Sequence, residues 1–233
     1  MLRSTTPPPE PAHFLVTRAC LSILLQLDDQ IAYECMKDFP LVQYAARYWV
    51  EHAKSGNALL QTEDMVKQLF DPRNPHFARW LSIWNMDYPP REYVQPTPLY
   101  HAALLNLCGV AKWLVNTCSQ DINAYGGDYG TPLHAASSTG SLEVVQYLLM
   151  CNADDNQVSY DHTLFYVVSE GGQVPVPGLL EVGADINSRD KKGRTPLHVI
   201  EQGGEDVALL LLEHGADPAV RDDNGQTPLH VAS

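Results

Sequence analysis

One short string, Thr-Pro-Leu followed by His or Tyr, recurs through the second half of the chain and constrains its fold more than any other feature. Intact copies begin at Thr97, Thr131, Thr195 and Thr227, and an altered copy, His-Thr-Leu-Phe, begins at His162. Successive copies start about 33 residues apart, the length of one small supersecondary unit. A unit of this size cannot bury its own apolar face, so the units are predicted to stack on one another.

The string itself predicts the start of a helix. In Thr131-Pro132 the hydroxyl is suited to cap a helix, and the proline favours the first helical position, where its missing N–H is not needed. A second segment, Leu142 to Cys151, follows with apolar side chains at helical spacing. Asn106 and Asn152 stand where helices should end, in the left-handed conformation that asparagine tolerates. Each unit is therefore predicted to be a pair of short helices.

A second string keeps the same register as the first. Two leucines followed by Ala-Asp occur at Leu148–Asp154, Leu179–Asp185 and Leu211–Asp217. Together with the T-P-L-H opening, this pattern resembles the ankyrin repeat over roughly residues 94–233. The resemblance implies an all-α solenoid of helix-turn-helix units with hairpin tips. It also implies a protein-protein interaction module that binds a partner through the tips and the concave face, and not an enzyme.

Two units depart from the pattern. In the third unit Pro175, Pro177 and Gly178 fall where the second helix should start, which predicts a helix that begins late, near Pro177, and a weak point in the array. The fifth unit stops at Ser233, within its first helix. Its open apolar face predicts a cap, further repeats or self-association.

The chain before the repeats predicts two further segments. Residues 1–12 include four prolines and predict a disordered lead-in. Residues 13–90 predict a small helical domain, and the repeats occupy residues 91–233. The helical domain has four helices, predicted from Phe14 to Leu25, from Pro40 onward, from Thr62 to Phe70, and from Pro75 to Trp84.

This helical segment resembles the linker that precedes the repeats in fungal NACHT-ankyrin proteins, which are nucleotide-binding receptors of the innate-immunity type. The matching residues are His13, Cys20-Leu21, residues 39–52, Phe77 and Trp80. The chain contains no G-x-x-x-x-G-K-[ST] loop, so it cannot cradle nucleotide phosphates by that family's route. The resemblance implies an alternative function, a ligand-sensing regulatory arm of a receptor whose NTPase domain is not in this chain.

Charge narrows the range of partners. The formal net charge is −13, and the segment from Arg91 onward holds 7 basic and 18 acidic residues. Such a field repels nucleic-acid phosphates and anionic membranes, so we expect a protein partner and neither of those ligands. The five cysteines form no C-x-x-C pair, and the sequence has no signal peptide or membrane-spanning run. We expect a cytoplasmic or nuclear protein.

The histidines of the repeated string invite a catalytic or metal-binding interpretation. His134, His198 and His230, however, recur with the period of the repeat. This recurrence predicts that each ring braces its turn by hydrogen bonding. No other pattern indicates catalysis, so we expect no catalytic residue, cofactor or metal.

Aromatic residues of the second predicted helix allow two interpretations. Tyr44, Tyr48, Trp49 and His52 could form a ligand cage or a packed core. Aromatic side chains at helical spacing in a small domain favour the packed core.

Candidate partner-binding residues come from the hairpin tips and from exposed positions of each first helix, which line one face of such a stack. We expect tip side chains to have no packing role. Tyrosines flanked by glycines, as in residues 125–130, offer contact area at low entropic cost. The basic tip at residues 191–194 is either a solvated turn or a docking point for an acidic partner. The tip candidates are Tyr125, Asp128, Tyr129, Arg189, Lys191, Arg194, Arg221 and Asp223, and the helix candidates are Ser138, Thr139, Glu201 and Gln202.

Overall fold

Helices make up the regular structure of the part of the chain that the computed structural model describes, which is residues 12–27, 39–85, 95–153, 180, 185–200 and 205–232. None of these residues lies in a strand, which confirms the all-α prediction. The chain divides into an N-terminal domain, Met1–Arg91, and a C-terminal domain, Glu92–Ser233.

Five helices form the described part of the N-terminal domain. Those predicted at these positions are confirmed, and the first begins at Ala12, one residue before the predicted domain start. The single turn Ala58–Gln61 was not predicted, because four residues are too few to show helical periodicity. The helices are α1 (Ala12–Leu25), α2 (Pro40–Lys54), α3 (Ala58–Gln61), α4 (Glu63–Phe70) and α5 (His76–Trp84).

Aromatic side chains fill the core of the N-terminal domain. Trp49, Phe70 and Trp80 are fully buried. Their ring centroids lie 6.3, 6.1 and 5.5 Å apart in tilted or edge-on arrangements, which aromatic quadrupoles favour. The Trp80 indole N–H donates to the Ala46 carbonyl at 3.0 Å, so its polar atom is satisfied inside the core. This cluster holds α2, α4 and α5 together.

In the C-terminal domain, helices begin at the proline of the repeated string, as predicted. The Thr97 and Thr131 hydroxyls accept the N–H groups of Tyr100 and His134 at 3.1 and 3.3 Å, which confirms both predicted caps. The described elements are α6 (Pro98–Leu104), α7 (Cys108–Cys118), α8 (Pro132–Ser138), α9 (Leu142–Met150), a 3₁₀ turn (Pro196–His198), α10 (Glu205–Glu213) and α11 (Pro228–Val231).

Two asparagines end helices in the predicted left-handed conformation. Asn106 has φ 54° and Asn152 has φ 60°. After Asn106 the chain turns back, and the Leu107 N–H donates to the Ala102 carbonyl at 2.8 Å. This bond satisfies a carbonyl that the end of α6 would otherwise leave unpaired.

Small side chains allow neighbouring first helices to approach each other. Ala102 and Ala103 of α6 and Ala135 and Ala136 of α8 are fully buried, and α6 packs on α8. The second helices bury the apolar stripe that the sequence predicted. Its buried members are Val110 and Leu114 in α7 and Val144, Val145 and Leu148 in α9.

Some predictions fall outside the described residues. They concern residues 1–11 of the lead-in predicted at residues 1–12, and the altered third unit with Pro175, Pro177 and Gly178. In the fifth unit Leu229 is 78% exposed, whereas the equivalent Leu133 in the second unit is 1% exposed. Self-association, or cover by a further repeat, at this face stays a prediction.

Candidate partner-binding surface

A threonine and a histidine hold the start of the repeats. The Nδ1 atoms of His134, His198 and His230 lie 2.7, 2.8 and 2.6 Å from the hydroxyl oxygen of the threonine three positions earlier. The same pair thus recurs in three units. The predicted bracing role of these histidines is confirmed.

One of these rings also links two units. His198 Nδ1 accepts the Thr195 N–H at 3.0 Å, so the ring proton belongs on Nε2. Nε2 then donates to the Gln226 carbonyl at 3.1 Å. Because Gln226 directly precedes the string of the next unit, this bond fixes the base of one tip against its neighbour.

Tyr100 takes the histidine position in the first unit and reaches the next tip. Its phenol oxygen accepts the Tyr129 N–H at 3.1 Å. Burial raises the pKa of the Tyr100 phenol well above its usual range, so the hydroxyl stays neutral at any ordinary pH. The bond to Tyr129 therefore does not depend on titration.

The tip of the second unit, residues 125–130, is a tight loop. The Gly126 N–H donates to the Gly130 carbonyl at 2.7 Å, and the Gly130 N–H donates to the Gly127 carbonyl at 3.3 Å. Gly127 has φ 72°, and a Cβ there would collide with the Tyr100 ring. Only glycine allows both this conformation and this approach, so Tyr100 and Gly127 together fix the loop.

Three candidate residues lie in this loop. The Tyr129 side chain is 41% exposed although its backbone is held by Tyr100. Asp128 is exposed beside it, and Tyr125 is half-buried. An aromatic ring on a fixed loop offers apolar contact area with little conformational freedom left to lose.

Two aspartates hold the tips of the fourth and fifth units. Oδ1 of Asp190 accepts the N–H groups two and four residues later at 2.9 and 2.8 Å, and Oδ1 of Asp222 does the same at 2.9 and 2.8 Å. Both aspartates are buried. Burial opposes ionisation of Asp222, but the N–H groups of Gln226 and Asn224 outweigh it and lower the Asp222 pKa. The expectation that tip side chains have no packing role was wrong for these two residues, because they satisfy the turn backbone.

The arginines of these tips are also engaged. Arg194 is half-buried and pairs with Asp190, its Nη2 lying 2.7 Å from Oδ2. Arg189 Nη2 donates to the Arg221 carbonyl at 2.8 Å, and Arg221 Nη1 donates to the Gly225 carbonyl at 2.6 Å. Each of these three guanidinium groups therefore bonds to another group of the tips, although Arg189 and Arg221 are exposed.

Four candidates on these tips are exposed, namely Arg189, Lys191, Arg221 and Asp223. The Asp223 N–H donates to the Lys192 carbonyl at 3.0 Å, and its carboxylate lies 4.0 Å from Arg189 Nη2. The fourth and fifth tips therefore form one joined surface that contains Arg189, Lys191, Arg221 and Asp223.

The helix candidates lie at the end of α8 or outside the described residues. The Ser138 and Thr139 hydroxyls donate to the Ala135 carbonyl at 2.9 and 3.2 Å, so both groups satisfy their own helix end. Glu201 and Gln202 lie outside the described residues.

Comparison with known proteins identifies the repeat. A family model described as ankyrin repeats (3 copies) matches residues 58–159 and 164–233. The chain belongs to the ankyrin-repeat family. The match begins at residue 58 and so includes α3, α4 and α5, which were predicted to belong to the helical domain before the repeats. Thr62, just before α4, stands about one repeat length before Thr97, which is the signal that could have revealed this relation.

Curated relatives share parts of this ankyrin array. The azaphilone pigments biosynthesis cluster protein L of Monascus ruber is 33% identical over 62% of this chain and 35% of its own length. An ankyrin repeat protein of Rickettsia felis is 36% identical over 45% of this chain and 47% of its own. The ankyrin repeat and SAM domain-containing protein 6 of Rattus norvegicus is 32% identical over 42% of this chain and 11% of its own. The chain spans less than half the length of each relative.

Ankyrin repeats are a protein-interaction fold, and their extended stacked surface is what they bind with. The described helices include none long and apolar enough to cross a bilayer. The likeness of the N-terminal helices to the NACHT-ankyrin linker stays a prediction.

The packed-core interpretation of the α2 aromatics was right for one residue only. Trp49 is buried, but Tyr44 and Tyr48 are exposed and His52 is half-buried. The reason is their spacing. Tyr44, Tyr48 and His52 follow one another at intervals of four and lie on a stripe beside the buried one, which contains Trp49 and Ala53.

Proposed function

We propose that the ankyrin repeats of this chain hold a protein partner at the tip of the second unit, with Tyr129 as the principal contact. The observation that carries the proposal is an exposed aromatic ring on a loop that Tyr100 and Gly127 keep in one conformation. Binding to a fixed loop loses little conformational entropy, so the contact area of the ring contributes directly to affinity.

The joined tips of the fourth and fifth units extend this surface. Lys191 and Asp223 offer side chains of opposite charge to a partner. Arg189, Arg194 and Arg221 act instead on the shape of the tips, because each already bonds within the protein. The net charge of −13 disfavours nucleic acid and anionic membranes as ligands of this surface.

The proposal is tested by placing a photo-crosslinking amino acid at position 129 of the full chain and identifying the captured protein. Its affinity is then measured for wild type, Tyr129→Ala and Tyr48→Ala. Tyr48 is a matched control because it is exposed to the same degree, 42%, but lies in the N-terminal domain and not in the repeats. We expect Tyr129→Ala to weaken binding by about 30-fold, as truncation of an aromatic hot spot does. Equal affinities for the two variants would contradict the proposed site.

A further inference from the structure

Two histidines face each other on the surface of the N-terminal domain. The Nδ1 atoms of His13 in α1 and His52 in α2 lie 3.2 Å apart, and their ring centroids are 5.5 Å apart. On its other side, His52 Nε2 lies 2.7 Å from the Tyr44 phenol oxygen. Two imidazoles from different helices and one phenol therefore form a continuous cluster.

We propose that His13 and His52 bind one transition-metal cation of the kind imidazole prefers, such as Zn²⁺, Ni²⁺ or Cu²⁺, through their two Nδ1 atoms. Two nitrogen ligands at the usual metal distance of about 2.0–2.1 Å and a tetrahedral angle are about 3.3 Å apart. The observed separation of 3.2 Å is nearly the same. Binding therefore requires almost no change in the distance between the two Nδ1 atoms, only a rotation of the side chains that turns both lone pairs towards the cation.

The Tyr44 phenol oxygen is placed to accept the Nε2–H of His52, which is the tautomer that metal binding through Nδ1 requires. A neutral imidazole has one N–H and one nitrogen lone pair. When His52 Nε2–H donates to the Tyr44 oxygen, the lone pair is on Nδ1 and faces His13. Such outer hydrogen bonds orient histidine ligands and increase their basicity. In the metal-free protein His13 Nδ1–H donates to His52 Nδ1. When the cation binds, His13 loses this proton to solvent and takes one up at its exposed Nε2, so the ring stays neutral and its Nδ1 lone pair faces the metal.

Water completes the coordination of the cation. Within the described residues no third His, Cys, Asp or Glu joins this pair. The site is therefore open and its cation exchangeable, unlike a closed structural zinc site. Mg²⁺ and Ca²⁺ are poor candidates because they prefer oxygen ligands.

The cation has a structural consequence. His13 lies at the start of α1 and His52 near the end of α2, and these two helices pack on each other. A bound cation cross-links the two helices. It therefore stabilises the folded N-terminal domain, and the stabilisation grows as more of the protein has the cation bound.

Ni²⁺ is the probe for the test, since it binds imidazole and leaves the protein's free thiols unoxidised. The full chain is titrated with NiCl₂ while the histidine ring resonances are followed by NMR and the unfolding temperature is measured. We expect His13 and His52 to broaden first, with a 1:1 stoichiometry and a rise in the unfolding temperature. His52→Gln and His13→Gln should each weaken binding at least tenfold and remove the rise.

Two further variants sharpen the result. Tyr44→Phe should weaken Ni²⁺ binding about tenfold, as loss of an outer hydrogen bond does. His214→Gln, at an exposed histidine whose Nδ1 lies 2.8 Å from the Leu210 carbonyl, should change nothing. Equal broadening of every exposed histidine, or unchanged affinity in His52→Gln, would show an adventitious ion only and would overturn the proposal.

Discussion

His101 shows how a single buried side chain limits the pH range of the fold. It lies in α6 beside the Thr-Pro string, with its Nδ1 3.4 Å from the Thr97 carbonyl oxygen. Burial lowers the His101 pKa to about 4, and the Thr97 carbonyl offsets only part of that effect. The ring is therefore neutral in the folded protein, whereas in the unfolded chain it gains its proton at about pH 6.5.

Acidification is expected to destabilise the C-terminal domain through His101. Because the folded pKa lies below the unfolded pKa, the stabilising contribution is complete above about pH 6.5 and is lost as the pH falls towards 4. At pH 5 the loss amounts to about 2 kcal/mol. Urea unfolding from pH 7.5 to 5 should show a shallower pH slope for His101→Gln than for wild type. His214→Gln serves as the control, and identical slopes for all three proteins would refute the assignment.

Roles that depend on nearest neighbours could be predicted from the sequence at this scale. The caps at Thr97 and Thr131 and the left-handed Asn106 follow from local backbone geometry, which a few adjacent residues determine. The pairing of His13 with His52 could not be predicted, because 39 residues separate them and only the packing of α1 on α2 brings them together.

At the scale of the element, the tip of the second unit depends on a residue that belongs to another unit. Tyr100 packs against Gly127 and accepts the Tyr129 N–H. The sequence shows a glycine-rich loop with two tyrosines, but it does not show which residue orders that loop. The replacement of histidine by tyrosine in the first string was visible, whereas its contact with the tip required the stacked structure.

Gly127→Ala is expected to disorder this tip. Alanine in the left-handed conformation costs about 1 kcal/mol, and its Cβ would also displace the Tyr100 ring. We expect a total loss of about 2–3 kcal/mol and faster hydrogen exchange at the Tyr129 amide. Gly225→Ala is the matched control, because Gly225 has φ 76° in the fifth tip but nothing near its would-be Cβ. If both variants lost the same stability, the contact with Tyr100 would have no energetic role.

For the whole molecule, the sequence determined the stack better than it determined the surface. A period near 33 residues with apolar faces that no unit can bury alone is sufficient to predict stacking. The exposure of a tip residue depends on hydrogen bonds from neighbouring units, such as those from His198 to Gln226 and from Asp223 to Lys192. For this reason Arg189, Arg194 and Arg221 read as binding residues in the sequence, but bond within the tips in the structure.

Stacking also means that damage in one repeat should spread to its neighbours. Leu133 is buried in α8, which packs on both α6 and α9. Leu133→Ala is expected to cost about 2–5 kcal/mol through lost contacts and a residual cavity. Because each unit is stable only against its neighbours, hydrogen-exchange protection should fall together in α6, α8 and α9. Leu60→Ala, at a leucine that is 73% exposed in α3, should change stability by less than about 0.5 kcal/mol. Loss of protection confined to α8 and α9 would mean that the repeats fold as independent pairs and that the stack contributes little to their stability.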